Sequence, residues 1–196
     1  MNRLVTLAPD DSSNGKLPDP AQGNYAYWYG NGVAGSFLNK EASLLTEEGQ
    51  PVETRLNGGT SAQAYYGTLT SPVIDLSTTQ KPISLSFKTW WEIESVNPSS
   101  RGYDAMDVEV SVNGGEFKKL ARLNPLSDPQ TDYNRWSIPF SNFGFNLAPQ
   151  FAQQEAISLD EYAGQSNVKI RFKFDTVDQY YNAYRGWIID DIVIQN

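Results

Sequence analysis

Apolar and polar residues alternate along several stretches of the chain. Over 83–88 every second residue is apolar, and the same period of two recurs at 106–112 and 168–174. Apolar residues also dominate 187–194. A period of two is typical of strands with one buried and one wet face, as in antiparallel sheets. We therefore predict strands at 83–89, 106–112, 168–174 and 187–194, with Phe87, Val108, Val110, Phe172 and Phe174 in the core.

Turn signals separate these predicted strands. Asn-Gly-Gly occurs at 57–59 and 113–115, and this combination is common in hairpin turns. Plausible helix formers occur only at 145–156, where Pro149 limits a helix to one or two turns. Many short strands with almost no helix favour two packed antiparallel sheets. We predict an all-β jelly-roll β-sandwich, with an immunoglobulin-like sandwich as the second choice.

The domain organisation follows from a change in composition near the N-terminus. Residues 9–23 are rich in Pro, Asp, Ser, Asn and Gly and show no apolar periodicity. We predict an irregular lead-in or linker over 1–24 and a single domain over 25–196. No apolar run approaches the roughly 20 residues that span a bilayer, so we expect no membrane insertion.

Composition excludes several kinds of chemistry. The chain has no Cys and no His, which removes disulfides, thiolate and histidine relays, and zinc sites built from sulfur or imidazole. Any metal must therefore be bound by oxygen. Its 15 Lys and Arg residues against 23 Asp and Glu give a net charge of -8, which disfavours nucleic acid as a partner.

Catalysis is also disfavoured. The commonest general base at neutral pH is absent, and no pair of carboxylates stands out from the strand pattern. We therefore expect no enzymatic activity. The 23 acidic residues leave a small polysaccharide-acting enzyme as an alternative, since glycoside hydrolysis needs only two carboxylates.

Four stretches together carry a resemblance to a known family. In chain order they are LTSPVIDLS at 69–77, ISLSFKTWWEIE at 83–94 with GYDAMDVEVSVNGG at 102–115, LDEYAGQSNVKIRFKFDT at 159–176, and GWIIDDIVI at 186–194. This ordered set, which spans about residue 25 to the end, resembles the MAM-like jelly-roll modules of secreted bacterial proteins. These include the accessory domain of immune-inhibitor-A-type metallopeptidases and the cleaved-adhesin domains. Inserted segments near 96–101 and 124–135 and the longer lead-in depart from the pattern.

The resemblance implies a secreted or cell-surface bacterial protein, a non-catalytic accessory or adhesive role, and often a structural calcium ion. In GWIIDDIVI strict alternation places Asp190 and Asp191 on opposite faces, so one of them shares a face with the core. A carboxylate there needs a cation or several donors, and Ca²⁺ accepts six to eight oxygens in flexible geometry. The resemblance adds Glu94 and Asp104 as further acidic positions. The predicted Ca²⁺ ligands are therefore Glu94, Asp104, Asp190 and Asp191, with Glu94 and Asp191 the strongest candidates.

A plainer interpretation of these acids stays open. They could pair with Arg101, Arg171 or Arg185, or simply face water. Glu92 and Asp107 are expected to be solvated rather than ligating.

Aromatic residues cluster at 25–29, 65–66, 90–91 and 180–187. Neighbouring rings on a strand point to opposite faces, so we expect one ring of each adjacent pair in the core and the other exposed. Tyr180, Tyr181 and Tyr184 lie in the probable loop DQYYNAY and are predicted to form a surface patch that stacks on sugar rings.

These observations predict a non-catalytic, calcium-stabilised, monomeric module that binds glycans or cell surfaces. The alternative from a different class is a structural domain that packs against a peptidase or another domain of the same parent chain.

Overall fold

The computed structural model describes residues 2–4, 19–30, 63–94, 104–123, 139–141, 152–153, 156–179, 182 and 186–196. These residues form strands and one 3₁₀ turn at Asp160–Tyr162, with no α-helix among them. The strands are β1 Asn2–Leu4, β2 Ala26–Tyr29, β3 Tyr66–Thr70, β4 Ser84–Glu94, β5 Ala105–Val112, β6 Lys118–Arg122, β7 Pro139–Ser141, β8 Ala152–Gln153, β9 Ile157–Ser158, β10 Val168–Asp175 and β11 Gly186–Gln195.

Two antiparallel sheets pack face to face. The first sheet has the order β1-β2-β11-β4, and the far edge of β4 pairs in turn with β7, β8 and β9. The second sheet has the order β3-β10-β5-β6. Consecutive strands cross between the sheets at β2–β3, β3–β4, β4–β5, β6–β7, β9–β10 and β10–β11. The predicted all-β sandwich is confirmed, and the strand order in each sheet is that of a jelly roll.

The main core lies between the two sheets. The Phe172 ring from the second sheet meets two rings of the first sheet edge-on, with centroids 5.0 Å from Phe87 and 6.0 Å from Trp187. Edge-to-face pairs of this kind stabilise beyond their buried area. The four predicted strands correspond to β4, β5, β10 and β11, and the five predicted core residues are all buried.

The outer face of β5 is largely buried, whereas the sequence predicted that it is exposed to solvent. Asp107 and Glu109 lie on that face, as alternation requires, yet they are only 5% and 9% exposed. Because β5 lies between β10 and β6, long cationic side chains from both neighbours cover it. Arg122 binds Asp107 through two hydrogen bonds of 2.7 and 2.8 Å, and Arg171 binds Glu109. The prediction that Asp107 is solvated is therefore wrong.

The first sheet buries both of its faces at the centre. Ala26, Trp28, Trp90 and Ile188 form a second buried cluster on the side away from the main core. Trp90 is fully buried there, while Trp91 packs partly buried against the main core. The expectation of one exposed ring therefore fails for this pair. It holds in part for the next pair, in which Tyr66 is 73% exposed while Tyr65 is half-buried and outside the core clusters.

Two short strands occur where the sequence predicted other structure. β8 forms within the predicted helical stretch 145–156, because the edge of β4 offers backbone hydrogen bonds at Lys88 and Thr89. β1 pairs with β2, so part of the predicted irregular lead-in belongs to the first sheet. The 113–115 turn forms as predicted, with positive φ at Asn113 and Gly114. The turn at 57–59 and the insertions at 96–101 and 124–135 lie outside the described residues.

Candidate functional site

A β-bulge interrupts the last strand at the Asp-Asp pair. Asp190 pairs with Lys88 of β4, but the next pair joins Val193 to Ser86. Two residues of β11, Asp191 and Ile192, therefore stand opposite one residue of β4, and Asp191 adopts a φ of 49°. The bulge resets the alternation, which sends both Ile189 and Ile194 toward the main core. The strict alternation from which an inward-facing aspartate was predicted therefore does not hold at this pair.

The Asp190 carboxylate is satisfied by backbone donors. Its Oδ1 accepts a hydrogen bond from the N–H of Asp191 at 2.8 Å, and its Oδ2 accepts one from the N–H of Gln22 at 3.1 Å. Asp190 is only 9% exposed. Since backbone N–H bonds stabilise an ionised carboxylate, Asp190 holds the bulge and ties the segment before β2 to the last strand.

Asp191 has weaker and more exposed partners. Its Oδ2 lies 3.6 Å from Lys88 Nζ and 3.3 Å from Gln22 Nε2. The Asp191 and Lys88 side chains are 27% and 30% exposed, so solvent screens the ion pair. Among the described residues, Asp191 is therefore partnered by Lys88 and Gln22, whereas Arg101 and Arg185 lie outside the described residues.

The other two predicted calcium ligands lie at a different level of the sandwich. Glu94 ends β4, whereas Asp190 pairs with Lys88, six residues earlier on that strand. At about 3.3 Å per residue, the backbones of Glu94 and Asp190 are roughly 20 Å apart. Asp104 directly precedes β5, so Glu94 and Asp104 flank the same connection. The structure thus separates the four acids into two pairs.

Asp104 is fully buried at this end of the sandwich. Its neighbour Tyr29 stacks on Phe174 with a centroid distance of 4.4 Å. Burial, and then the negative charges of Asp104 and Asp175, raise the pKa of Tyr29 well above its usual value. The Tyr29 hydroxyl therefore stays protonated and can donate hydrogen bonds over the whole physiological pH range. The Glu94 side chain lies outside the described residues.

The described residues contain no group of three acids placed to hold a metal ion. A calcium site at the Glu94–Asp104 end needs further oxygens from segments beyond those residues. The buried Asp104 carboxylate is of the ligand type that Ca²⁺ prefers. At the bulge, the Asp190 carboxylate already has two backbone donors.

A cavity of about 350 Å³ opens between the sheets beside the bulge. Leu69, Ile74, Ile170 and Phe172 form part of its apolar wall, and Asp190 and Asp191 lie among its lining residues. Val73 and Ile192 are exposed nearby at 54% and 39%. This volume is at the small end for ligand pockets. The cavity was not predicted from the sequence, because its lining residues come from several strands of both sheets.

The predicted aromatic patch at Tyr180, Tyr181 and Tyr184 lies outside the described residues. Within that loop Asn182 is described and buried, and its Nδ2 donates a 3.0 Å hydrogen bond to the carbonyl of Asp178. The glycan patch at these three tyrosines therefore stays a prediction.

Sequence reasoning missed a group of basic side chains on the outer face of the second sheet. We call this group the cationic face, and it consists of Lys119, Arg122, Lys169, Arg171 and Lys173. The alternating basic residues at 169–173 were a visible signal of its β10 part. The contribution of β6 depends on strand register and was not readable from the sequence.

A scan against models of known protein families found no match, and a search of the curated proteins found none either. Among the described residues, no helix is both long and apolar enough to cross a membrane.

Proposed function

We propose that the protein is a non-catalytic binding or adhesion module directed at glycans. The observation that supports this most directly is the outer face of the second sheet. There the Tyr66 ring is 73% exposed, and Thr68 and Thr70 lie on the same face of β3. An exposed ring beside hydroxyl groups suits stacking on a sugar together with hydrogen bonds to its hydroxyls.

The resemblance to MAM-like modules supports the wider setting of this proposal. It favours a secreted or cell-surface bacterial protein, in which the domain serves adhesion. The jelly-roll sandwich is the fold that the resemblance implies. Because a fold alone hosts many functions, the proposal depends on the sheet face and the loop tyrosines, where a ligand would bind.

We further propose that calcium stabilises the end of the sandwich near Glu94 and Asp104. A buried carboxylate at Asp104 supports an oxygen-ligated ion there. Binding of an ion to the folded state alone would raise its stability by mass action.

A glycan array probed with the whole chain, with and without calcium, tests the binding function. We expect binding to a defined set of glycans that is weakened in Tyr66→Ala and in Tyr180→Ala/Tyr184→Ala. Tyr25→Ala is the matched control, since Tyr25 is 45% exposed but precedes β2 of the other sheet. The absence of any glycan signal would contradict the proposal.

A second candidate function is a structural domain that packs against another domain of the parent chain. The apolar cavity and the exposed Val73, Ile192 and Val193 around the bulge favour it, because such groups fit an interdomain contact. It predicts no binding on the glycan array and a lower stability of the isolated domain than of the same domain in contact with its neighbour. Val73→Ser and Ile192→Ser should not lower the stability of the isolated domain further.

A further inference from the structure

We propose that the cationic face binds acidic polysaccharides through their carboxylate or sulfate groups. The proposal rests on the glycan-directed function above and narrows its ligand class. The proposed binding site is the outer face of the second sheet and does not include Tyr180, Tyr181 or Tyr184.

The register of the second sheet assembles this face from two strands. Lys169, Arg171 and Lys173 alternate along β10 with buried apolar residues, so their side chains are about 6.6 Å apart. Lys119 and Arg122 pair with Glu109 and Asp107 of β5, which places them on the same outer face two strands away. The result is a two-row set of cations roughly 10 Å wide.

Internal salt bridges fix the geometry of the face. Arg122 and Lys119 share the Asp107 carboxylate, Arg171 binds Glu109, and Lys173 lies 2.9 Å from Asp175. The Arg171 guanidinium also sits 3.8 Å above the Phe117 ring. Side chains held in this way lose less conformational entropy when they bind a ligand.

The face keeps a positive excess after this internal pairing. It carries five cationic side chains against three acidic ones, Asp107, Glu109 and Asp175, which leaves an excess of two. The whole chain has a net charge of -8, so this excess stands out against an acidic background. Lys119 is 48% exposed and Lys173 is 31% exposed, so their ammonium groups are accessible to a ligand.

The arrangement favours an acidic glycan over a nucleic acid. A duplex carries one charge per 1.7 Å of its axis, so it presents more negative charges than this face can neutralise. An excess of two charges is small for that partner. The hydroxyls of Thr68 and Thr70 and the ring of Tyr66 lie on β3, the strand next to β10, and suit the neutral part of a sugar chain.

Binding of the whole chain to dextran, carboxymethyl-dextran and dextran sulfate tests the proposal. The three polymers share a backbone and differ in charge. We expect binding to the two acidic polymers only, weakened as salt rises because the charges are screened. Lys119→Glu/Lys169→Glu should weaken it by roughly tenfold, since each reversal replaces an attraction by a repulsion of ion-pair size.

A matched control separates the face from the total charge. Lys118→Glu is compared with Lys119→Glu alone, because both variants change the net charge by the same amount on neighbouring residues of β6. Lys118 pairs with Val110 and so belongs to the opposite side of the strand. Lys118→Glu should weaken binding far less than Lys119→Glu. Lys119→Gln/Lys169→Gln removes charge without adding an acid next to Asp107, and melting curves verify that each variant folds.

The outcomes distinguish this proposal from the broader one. Binding to neutral glycans alone, or equal losses in Lys118→Glu and Lys119→Glu, would overturn the acidic ligand and leave the binding function standing. Binding of duplex DNA as tight as that of dextran sulfate would also overturn it. A chain that binds no glycan, neutral or acidic, would refute both.

Discussion

The backbone N–H of Asp191 donates a 2.8 Å hydrogen bond to the side chain of the residue before it, Asp190. This contact closes the bulge of β11, while the second oxygen of Asp190 holds the N–H of Gln22. One carboxylate thus fixes both the irregular backbone of the last strand and the path of the chain entering β2. Asp190 therefore has a structural role in the fold.

Asp190→Ala should lower the free energy of unfolding by about 2–3 kcal/mol, because two partly buried N–H groups lose their acceptor. Asp191→Asn should lower the free energy of unfolding by at most about 1 kcal/mol, since it removes a screened ion pair. The amide oxygen can still accept the hydrogen bond from Gln22, and Asn tolerates the positive φ at this position. Urea unfolding at neutral pH measures both. Equal losses in the two variants would contradict the assigned role of Asp190.

The Asp107–Arg122 pair predicts a pH dependence of stability. Burial alone would raise the pKa of Asp107, but the hydrogen bonds and charge of Arg122, helped by Lys119, hold it below the usual value. A group with a lowered pKa in the folded state stabilises the protein above its unfolded pKa, and this contribution is lost as pH falls through the folded pKa. The loss should therefore occur below about pH 4.

Asp107→Asn should lower the free energy of unfolding by about 1–3 kcal/mol at pH 7, because Arg122 loses its charged partner. The difference from the wild-type chain should shrink as pH falls below 4. Asp175→Asn is the control, because its pair with Lys173 is about one-third exposed and contributes at most about 1 kcal/mol. If the difference in unfolding free energy between Asp107→Asn and the wild-type chain stayed constant down to pH 2, an ionised Asp107–Arg122 pair would be ruled out.

Calcium removal should lower the melting temperature if the ion binds near Glu94 and Asp104. EDTA should reduce it and excess Ca²⁺ restore it, whereas Mg²⁺ should substitute poorly because it prefers strict octahedral geometry. Asp104→Asn and Glu94→Gln should abolish this response, and Asp190→Asn should keep it. An EDTA-insensitive melting temperature would exclude a stabilising calcium ion.

Thr89 supplies the buried acceptor for an indole in the main core. Trp187 Nε1 donates a 2.9 Å hydrogen bond to Thr89 Oγ1. Thr89→Val keeps the shape but leaves this N–H without its acceptor, so we expect a loss of about 1–3 kcal/mol. Thr70→Val, at an exposed strand position, should change stability by less than about 0.5 kcal/mol, as denaturant unfolding would show.

Local side-chain periodicity was enough to predict the four long strands and the five core residues. It failed where the outcome depends on neighbouring strands. Asp107 is buried because arginine and lysine from β6 reach over it, and that pairing is invisible in a single strand. The bulge at Asp191 likewise breaks the alternation from which an inward-facing acid was inferred.

The candidate site was less predictable than the fold. Whether Glu94 and Asp190 meet depends on the register between β4 and β11, which places their backbones roughly 20 Å apart at about 3.3 Å per residue. The loop tyrosines lie in a segment where no strand period constrains the chain.

The long strand β4 is hydrogen-bonded along both of its edges, to β11 on one side and to β7, β8 and β9 on the other. Its amide protons are therefore shielded wherever these partners remain attached, and they exchange with solvent deuterium mainly when the whole sandwich opens. In the second sheet β3 and β6 each pair with one neighbour among the described strands and can detach first. The slowest-exchanging amides should thus lie in β4 and in the other long strands paired on both edges, β5, β10 and β11, which marks this group as the last part of the fold to separate.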